Sequence, residues 1–466
     1  MFNFIFKKIF VQILTVFVLF GGVFFIDVSF GDFAVQAKEG KSLQMAIVPN
    51  DPDFFRQWYL PYVNFPKAWE YTQGSHEVIV AVLDTGVDID HPDLRDNIWV
   101  NKKEKPYDLV DNDGNGYVDD FYGWNFVDDS NVVKPDLENA NKTAANHGTI
   151  VAGIIGARGA NGSGVAGVSW QVKIMPLKVL DNNGQGDTVR VAKAINYAID
   201  QGVDIINLSF VGNEYSAVLQ NAIDRAYENN IVIVAAAGNE DASGHDFAAK
   251  SSYPVCNDGT ENAVIGVVAV DQFNRLASFS NYGTRCSDVT APGVSFFSTV
   301  VYEPAYEDFQ SLYAGGWNGT SVATPVVSGL AALIKAKNPN LSAVQIRNII
   351  INTSDSIDQA NIEDVRGKIG KGLINAKNAL EAAHVSLGNN PTTALSREFM
   401  VFGPGPSGGP HVRLLDYQGN VLSQWFAYED TFRGGVNVTS ADVDGDGVAE
   451  IITCLLYTSP SPRDPE

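Results

Sequence analysis

Val78-Ile79-Val80-Ala81-Val82-Leu83 runs directly into Asp84-Thr85-Gly86-Val87-Asp88. Six consecutive apolar residues, most of them β-branched, predict a strand buried on both faces, because a strand with one wet face would alternate. The first polar side chain past the run is a carboxylate. In open α/β sheets ligands gather at the carboxyl ends of strands. A single aspartate there is more often a turn or capping residue, so its meaning depends on what else the chain supplies.

Working outward, residues 173–180, 203–208, 231–236 and 264–270 have the same continuous apolar texture. Residues 188–201 and 215–229 have helical spacing, and Gly202 and Asn229-Asn230 stand where those helices should stop. Strands alternating with helices predict an α/β domain over residues 51–384, a three-layer sandwich with a mainly parallel central sheet. An apolar content of 45% over 466 residues is sufficient for that core. The formal charge of -22 argues against a nucleic-acid partner, which needs a basic footprint. It suits solubility, or the holding of hard cations by carboxylates.

Two more segments carry chemistry. Asn146-His147-Gly148-Thr149-Ile150-Val151-Ala152-Gly153 puts a histidine at the start of a helix of small apolar residues. Asn318-Gly319-Thr320-Ser321-Val322-Ala323-Thr324-Pro325 puts a serine at the start of another. Alone, the serine would read as an N-cap and the histidine as structural. Together with Asp84 they supply what acyl transfer requires. The serine hydroxyl is a weak nucleophile until a base takes its proton, histidine is such a base near neutral pH, and a buried carboxylate fixes its tautomer. An esterase elbow would read Gly-x-Ser-x-Gly, which Gly319-Thr320-Ser321-Val322-Ala323 does not.

On these motifs, in the order Asp, His, Ser, the chain resembles the subtilases, and among them the thermitase-like bacterial branch, over about residues 50–383. Ala235-Ala236-Ala237-Gly238-Asn239-Glu240, Ala277-Ser278-Phe279-Ser280-Asn281, Ala291-Pro292-Gly293 and Gly370-Lys371-Gly372-Leu373-Ile374-Asn375 extend the likeness. The resemblance implies a serine endopeptidase acting on proteins or peptides, with Asp84, His147 and Ser321 as the triad. It implies that the Asn239 amide and the Ser321 backbone N–H hold the oxyanion. It also implies that Ser209, Phe210, Val211 and Gly212 form one wall of a cleft in which substrate lies extended and pairs with edge strands. The family usually reads Ser-Leu-Gly in that wall, so Val211 stands where a glycine is expected. Val322 and Val326 replace the usual Met and His around the serine. The alternative reading is a degenerate subtilase that binds calcium and a surface without cleaving.

Asp111-Asn112-Asp113-Gly114-Asn115-Gly116-Tyr117-Val118-Asp119-Asp120 places oxygen ligands at alternate positions. Asp111, Asp113 and Asn115, the Tyr117 carbonyl and Asp119 are the expected calcium ligands, although Tyr122 stands where an EF-hand has its bidentate glutamate. The resemblance implies a second calcium site from Asp51, Asp93 and Asn161, pinning loops and the N-terminal segment.

The ends of the chain differ in texture. Two lysines, an apolar run from Ile9 to about Ile26 and the small residues of Val35-Gln36-Ala37 predict a signal peptide over residues 1–37, with a retained membrane anchor as the alternative. Residues 38–50 form a short extension, which has no room for the folded pro-segment of many family members. A Cys256–Cys286 disulfide is left open by the sequence. Residues 385–398 read as a linker. Residues 399–453 resemble a single, incomplete FG-GAP repeat, a partial β-propeller-like module, with Asp442, Asp444, Asp446 and Glu450 as its cation ligands. Residues 454–466 resemble the translation of a sequencing-library adapter, so the natural chain is expected to continue differently past Thr453. The default expectation is a monomer.

Overall fold

The computed structural model describes residues 46–240, 243–259, 262–388, 400–403, 410–415, 421–428, 432, 435–441 and 450–455. Two one-turn helices, α1 (Tyr59–Tyr62) and α2 (Phe65–Ala68), precede β1 (Gly74–Asp84). There follow β2 (Trp124–Asn125), α3 (Lys142–Gly156), β3 (Gln171–Lys178), α4 (Thr188–Asp200), β4 (Ile205–Leu208) and α5 (Ala217–Glu228). The domain continues with β5 (Val232–Ala236), β6 (Val264–Val270), β7 (Val289–Pro292), β8 (Phe296–Thr299), β9 (Tyr313–Trp317), α6 (Thr320–Lys337), α7 (Ala343–Asn352) and α8 (Ala376–Gly388).

Seven strands make one sheet in the order β2-β3-β1-β4-β5-β6-β7, and every pairing in it is parallel. The chain leaves β1 for β3 on one side, then returns past β1 to β4 on the other. Crossovers are right-handed, so reversing direction places the connecting helices on opposite faces. Accordingly α4 and α5 pack on each other, while α6 runs along β1, β4, β5, β6 and β7 beside α3. The result is the expected helix–sheet–helix sandwich, with β1 at its switch point. The strands β4 to β7 are buried at every residue, which is why they are dominated by apolar residues, with Asn207 in β4 and Thr290 in β7 as buried polar exceptions. Leu83 is fully buried, and its truncation to alanine would cost about 2–5 kcal/mol.

The helix starts differ from expectation. The Asn141 side chain accepts from the Thr143 and Ala144 N–H groups, so α3 begins at Lys142 and His147 lies inside it. The polar residues of that first turn hide the helix from an apolar-periodicity reading. At α6 the cap is Gly319, with no side-chain bond. Ser321 is therefore the second helical residue and has no capping duty. The expected linker begins inside α8, which runs to Gly388. The antiparallel β8–β9 pair was not legible, because Tyr313-Ala314-Gly315-Gly316-Trp317 reads as loop.

A disulfide joins Cys256 to Cys286. Beyond α8 lie β10 (Met400–Phe402), β11 (His411–Leu415) and β12 (Val421–Phe426), paired antiparallel, and β13 (Val436–Ala441), antiparallel to β14 (Glu450–Leu455). Asp442, Asp444 and Asp446 lie outside the described residues, and Glu450 is the first residue of β14. Cys454 belongs to that strand, where the sequence had suggested a tail. The expected signal peptide, residues 1–37, also lies outside the described residues. Among those described, no helix is long and apolar enough to cross a membrane.

Candidate active site

Asp84 ends β1 at the switch point, fully buried. The Thr85 N–H donates to its Oδ1 at 2.7 Å and the Thr85 hydroxyl at 3.2 Å. The same hydroxyl accepts from the Gly148 N–H at 3.2 Å, so one threonine ties the strand end to α3. Gly148 is required there, because a Cβ on it would stand 2.2 Å from the Gly86 carbonyl oxygen. This close approach brings His147 Nδ1 to 2.8 and 2.9 Å from the two oxygens of Asp84. Burial disfavours the His147 imidazolium, but the Asp84 charge and hydrogen bond outweigh it and hold the pKa above the ordinary imidazole value. With Nδ1–H committed to Asp84, Nε2 is the ring's free basic position.

The serine side is assembled by Thr320. Its N–H and hydroxyl donate to Asn239 Oδ1 at 2.9 and 3.1 Å, and its hydroxyl accepts from the Gly238 N–H at 3.0 Å. These bonds fix which end of the Asn239 amide is which: Oδ1 takes the Thr320 donors, and Nδ2 is left as the donor end. A Cβ on Gly319 would lie 2.9 Å from Ser321 Oγ, 3.2 Å from Asn239 Nδ2 and 3.6 Å from the Ser321 nitrogen. Gly319 therefore leaves open a small space faced by the Ser321 hydroxyl and two N–H donors, the arrangement that an oxyanion would require. Sequence reasoning gave Thr320 and Gly319 no role. Their signal was their place beside Ser321 in a motif already singled out. His147 and Ser321 share no hydrogen bond among the described residues, and such contacts commonly tighten only with substrate bound.

The expected substrate wall continues from β4. Ser209 is buried, and its Oγ accepts from Asn207 Nδ2 at 2.9 Å, so its side chain serves the core. Phe210 packs against the core. Gly212 exchanges both backbone hydrogen bonds with Tyr253, at 2.6 and 2.9 Å. Those groups are therefore unavailable to an added peptide strand. Val211 is 39% exposed.

Of the expected calcium ligands, the acidic loop brings Asp111 and Asp113 together, and Glu104 joins them, with one oxygen from each within 4.8 Å of the others. Glu104 is buried; its Oε1 accepts from the Asn112 and Asp113 N–H groups, while Oε2 has no partner among the described residues. A buried carboxylate oxygen without a donor fits a bound cation. Asn115 Oδ1 accepts from the Tyr117 N–H at 2.8 Å. Asp119 is turned elsewhere, accepting from the Asp108 and Leu109 N–H groups at 3.3 and 3.0 Å. Its backbone has a positive φ of 55°, which local spacing alone did not reveal.

Asp51, Asp93 and Asn161 are also brought together. Asp51 accepts from the Ala160 and Asn161 N–H groups at 2.6 and 3.2 Å. Asn161 Nδ2 donates to Asp93 at 2.9 Å, and Val165 N–H and Tyr313 O–H donate to the other Asp93 oxygen at 3.1 and 2.8 Å. Burial pushes the Asp51 carboxyl up, against its backbone bonds and with the Asp93 charge adding to the rise.

Residues 75–382 match the Subtilase family. The chain is 39% identical over 313 residues to a thermophilic serine proteinase of Bacillus sp. strain AK1, covering 67% of this chain and 65% of that protein, so it spans a little under two thirds of that relative. It is 35% identical over 322 residues to thermitase of Thermoactinomyces vulgaris, covering 69% of this chain and 96% of that one. A solved protease structure from Pseudoalteromonas arctica PAMC 21717 matches with a TM-score of 0.56 and 33% identity, over 72% of this chain and 99% of that one. A buried Asp84–His147 pair at the switch point, a family match over most of the chain and coverage of 96% of thermitase agree: this chain belongs to the subtilase family, the subtilisin-like serine endopeptidases.

Proposed function

We propose that the protein is a secreted, calcium-stabilised endopeptidase that cleaves peptide bonds through Asp84, His147 and Ser321. His147 Nε2 takes the proton from Ser321 Oγ as the hydroxyl attacks the scissile carbonyl carbon. Asp84 stabilises the imidazolium that forms, through the bond it already makes to Nδ1. The carbonyl oxygen, now anionic, moves into the space beside Gly319, where Asn239 Nδ2 and the Ser321 N–H donate to it. His147 then returns the proton to the leaving amine, and an acyl-Ser321 ester remains. A water deprotonated by the same histidine hydrolyses the ester.

The observation that carries this reading is the space at Gly319, with its distances of 2.9, 3.2 and 3.6 Å to nucleophile and donors. A protein that only bound its partners would have no need to keep it empty. Hydrolysis of casein tests the proposal: it is lost in Ser321→Ala while circular dichroism and the thermal midpoint are retained. Casein hydrolysis persisting in that folded variant would refute it.

Glu104, Asp111 and Asp113 are the residues proposed to hold calcium, which supplies cross-linking of the loop and no chemistry to the reaction. The Asp51, Asp93 and Asn161 oxygens are engaged by protein donors; their proposed part is to bind the N-terminal segment to residues 160–165, with calcium adding to that tie. Export is supported by the charge–apolar–small-residue order of residues 1–37.

A further inference from the structure

We infer that Val211 closes the pocket for the residue on the acyl side of the scissile bond, so that the enzyme cleaves after small side chains. The inference rests on the serine-protease reading above and specifies its substrate class.

The space that accepts a carbonyl oxygen lies between Ser321 and Asn239. The α-carbon of the acylated residue is bonded to that carbonyl carbon, so it must sit beside the segment carrying Asn239. This segment leaves β5 at Ala236, and β4, its sheet neighbour, continues as residues 209–212. On its β6 side this segment is already bonded to residues 279–281, through Glu240 N–H to the Phe279 carbonyl and Asn281 N–H to the Gly238 carbonyl, and Thr320 of α6 holds Asn239 Oδ1, so the side chain of the acylated residue is assigned to the gap between these two continuations. Gly238 adds no side chain to this gap and has a φ of 101° that suits glycine; the position of its missing Cβ is met by Asn281 Nδ2 at 2.7 Å.

Val211 fills the room from the other side. Both its γ-carbons lie 3.2 and 3.3 Å from the point that a Cβ on Gly238 would occupy. Its isopropyl group thus covers the Gly238 α-carbon. Residues 209–212 cannot swing outward to make space, because Gly212 is held to Tyr253 by two backbone bonds and Ser209 is buried and bonded to Asn207. Val211 is itself partly exposed, as a residue at the mouth of a cleft should be. A glycine, alanine or serine side chain fits beneath it. A phenylalanine or leucine would have to displace a β-branched side chain that has little rotamer freedom.

The test uses the full-length protein and two measurements. First, the sites at which it cuts denatured casein are mapped by mass spectrometry. The inference expects most cuts after Gly, Ala or Ser; a majority after Phe, Leu or Tyr overturns it. Secondly, kcat/KM is compared for matched peptide anilides ending in Ala or Phe. The wild type should favour Ala by about tenfold or more, and Val211→Gly should raise the Phe rate enough to invert the ratio, with Val211→Ala between them. A preference that Val211→Gly leaves unmoved, in a variant that still cleaves the Ala substrate, overturns the inference even if the wild type favours small residues. Absence of cleavage of every substrate would instead remove the serine-protease reading, and this inference with it.

Discussion

The proposed catalytic cluster and the acidic loop are both built around carboxylates, yet they are held in opposite ways. Asp84 ends β1, Asn239 follows β5, and His147 and Ser321 lie within α3 and α6, anchored by a sheet whose strands β4 to β7 are buried at every residue. Glu104, Asp111 and Asp113 sit in turns, held by backbone N–H groups of their own loop and by each other. The first cluster needs nothing from outside to keep its geometry. The second gathers like charges and leaves Glu104 Oε2 unpaired among the described residues, a strain that the proposed calcium would relieve. The difference divides the expected behaviour of the molecule: catalysis should be sensitive to single side chains, and stability to calcium.

The largest effect expected from that division is Asp84→Asn. It should lower kcat about 10⁴-fold with little loss of stability, because the amide presents the wrong hydrogen-bond pattern to His147. The pH profile sharpens the point. His147 must be neutral to act as a base, and Asp84 raises its pKa, so kcat/KM should fall as the pH drops through a value above that of ordinary imidazole. In Asp84→Asn the acid limb should move to lower pH; a limb that stays put would break the pairing. The sign for stability is the reverse: the raised pKa stabilises the fold at low pH, and this contribution fades as the pH rises through it.

Next is Asn239→Ala, which should cost about 10²–10³ in kcat with KM little changed, since the amide acts on the oxyanion formed in the transition state. A rise confined to KM would mean that Asn239 merely binds substrate. Third, replacing Cys256 and Cys286 by serine frees a loop of 30 residues and should cost about 3–4 kcal/mol of stability in denaturant titration while kcat is retained. Smallest is the acidic loop: calcium at a hundredfold excess over its Kd should stabilise the fold by about 2.7 kcal/mol, EGTA should remove that gain, and Glu104→Gln should shrink it. If Glu104→Gln responds to calcium as the wild type does, the carboxylate is not a ligand.

The two regions also differ in how legible they were. The strands β1, β4, β5 and β6 announced themselves because burial on both faces demands runs rich in apolar residues, Asp84, His147 and Ser321 stood out because acyl transfer fixes the residue types, and Asn239 was reached through the family resemblance. Thr320 and Gly319 were within the quoted motif, but their work depends on where the Asn239 amide points, a tertiary fact. The acidic loop was read from alternate spacing, which selected Asp119 and missed Glu104. The left-handed turn at Asp119 and the folding of residue 104 back onto residues 112–113 break that spacing. Periodicity reports elements with a regular repeat, and a loop closed by side chains has none.

The central claim, that Ser321 is a nucleophile activated by His147, is tested most directly by treating the purified protein, calcium present, with a fluorophosphonate probe and mapping the labelled peptide. The account predicts label on Ser321 in the wild type and its disappearance in a folded His147→Ala variant. A folded, calcium-loaded wild type that takes no label, or a His147→Ala variant labelled as well as the wild type, would contradict it.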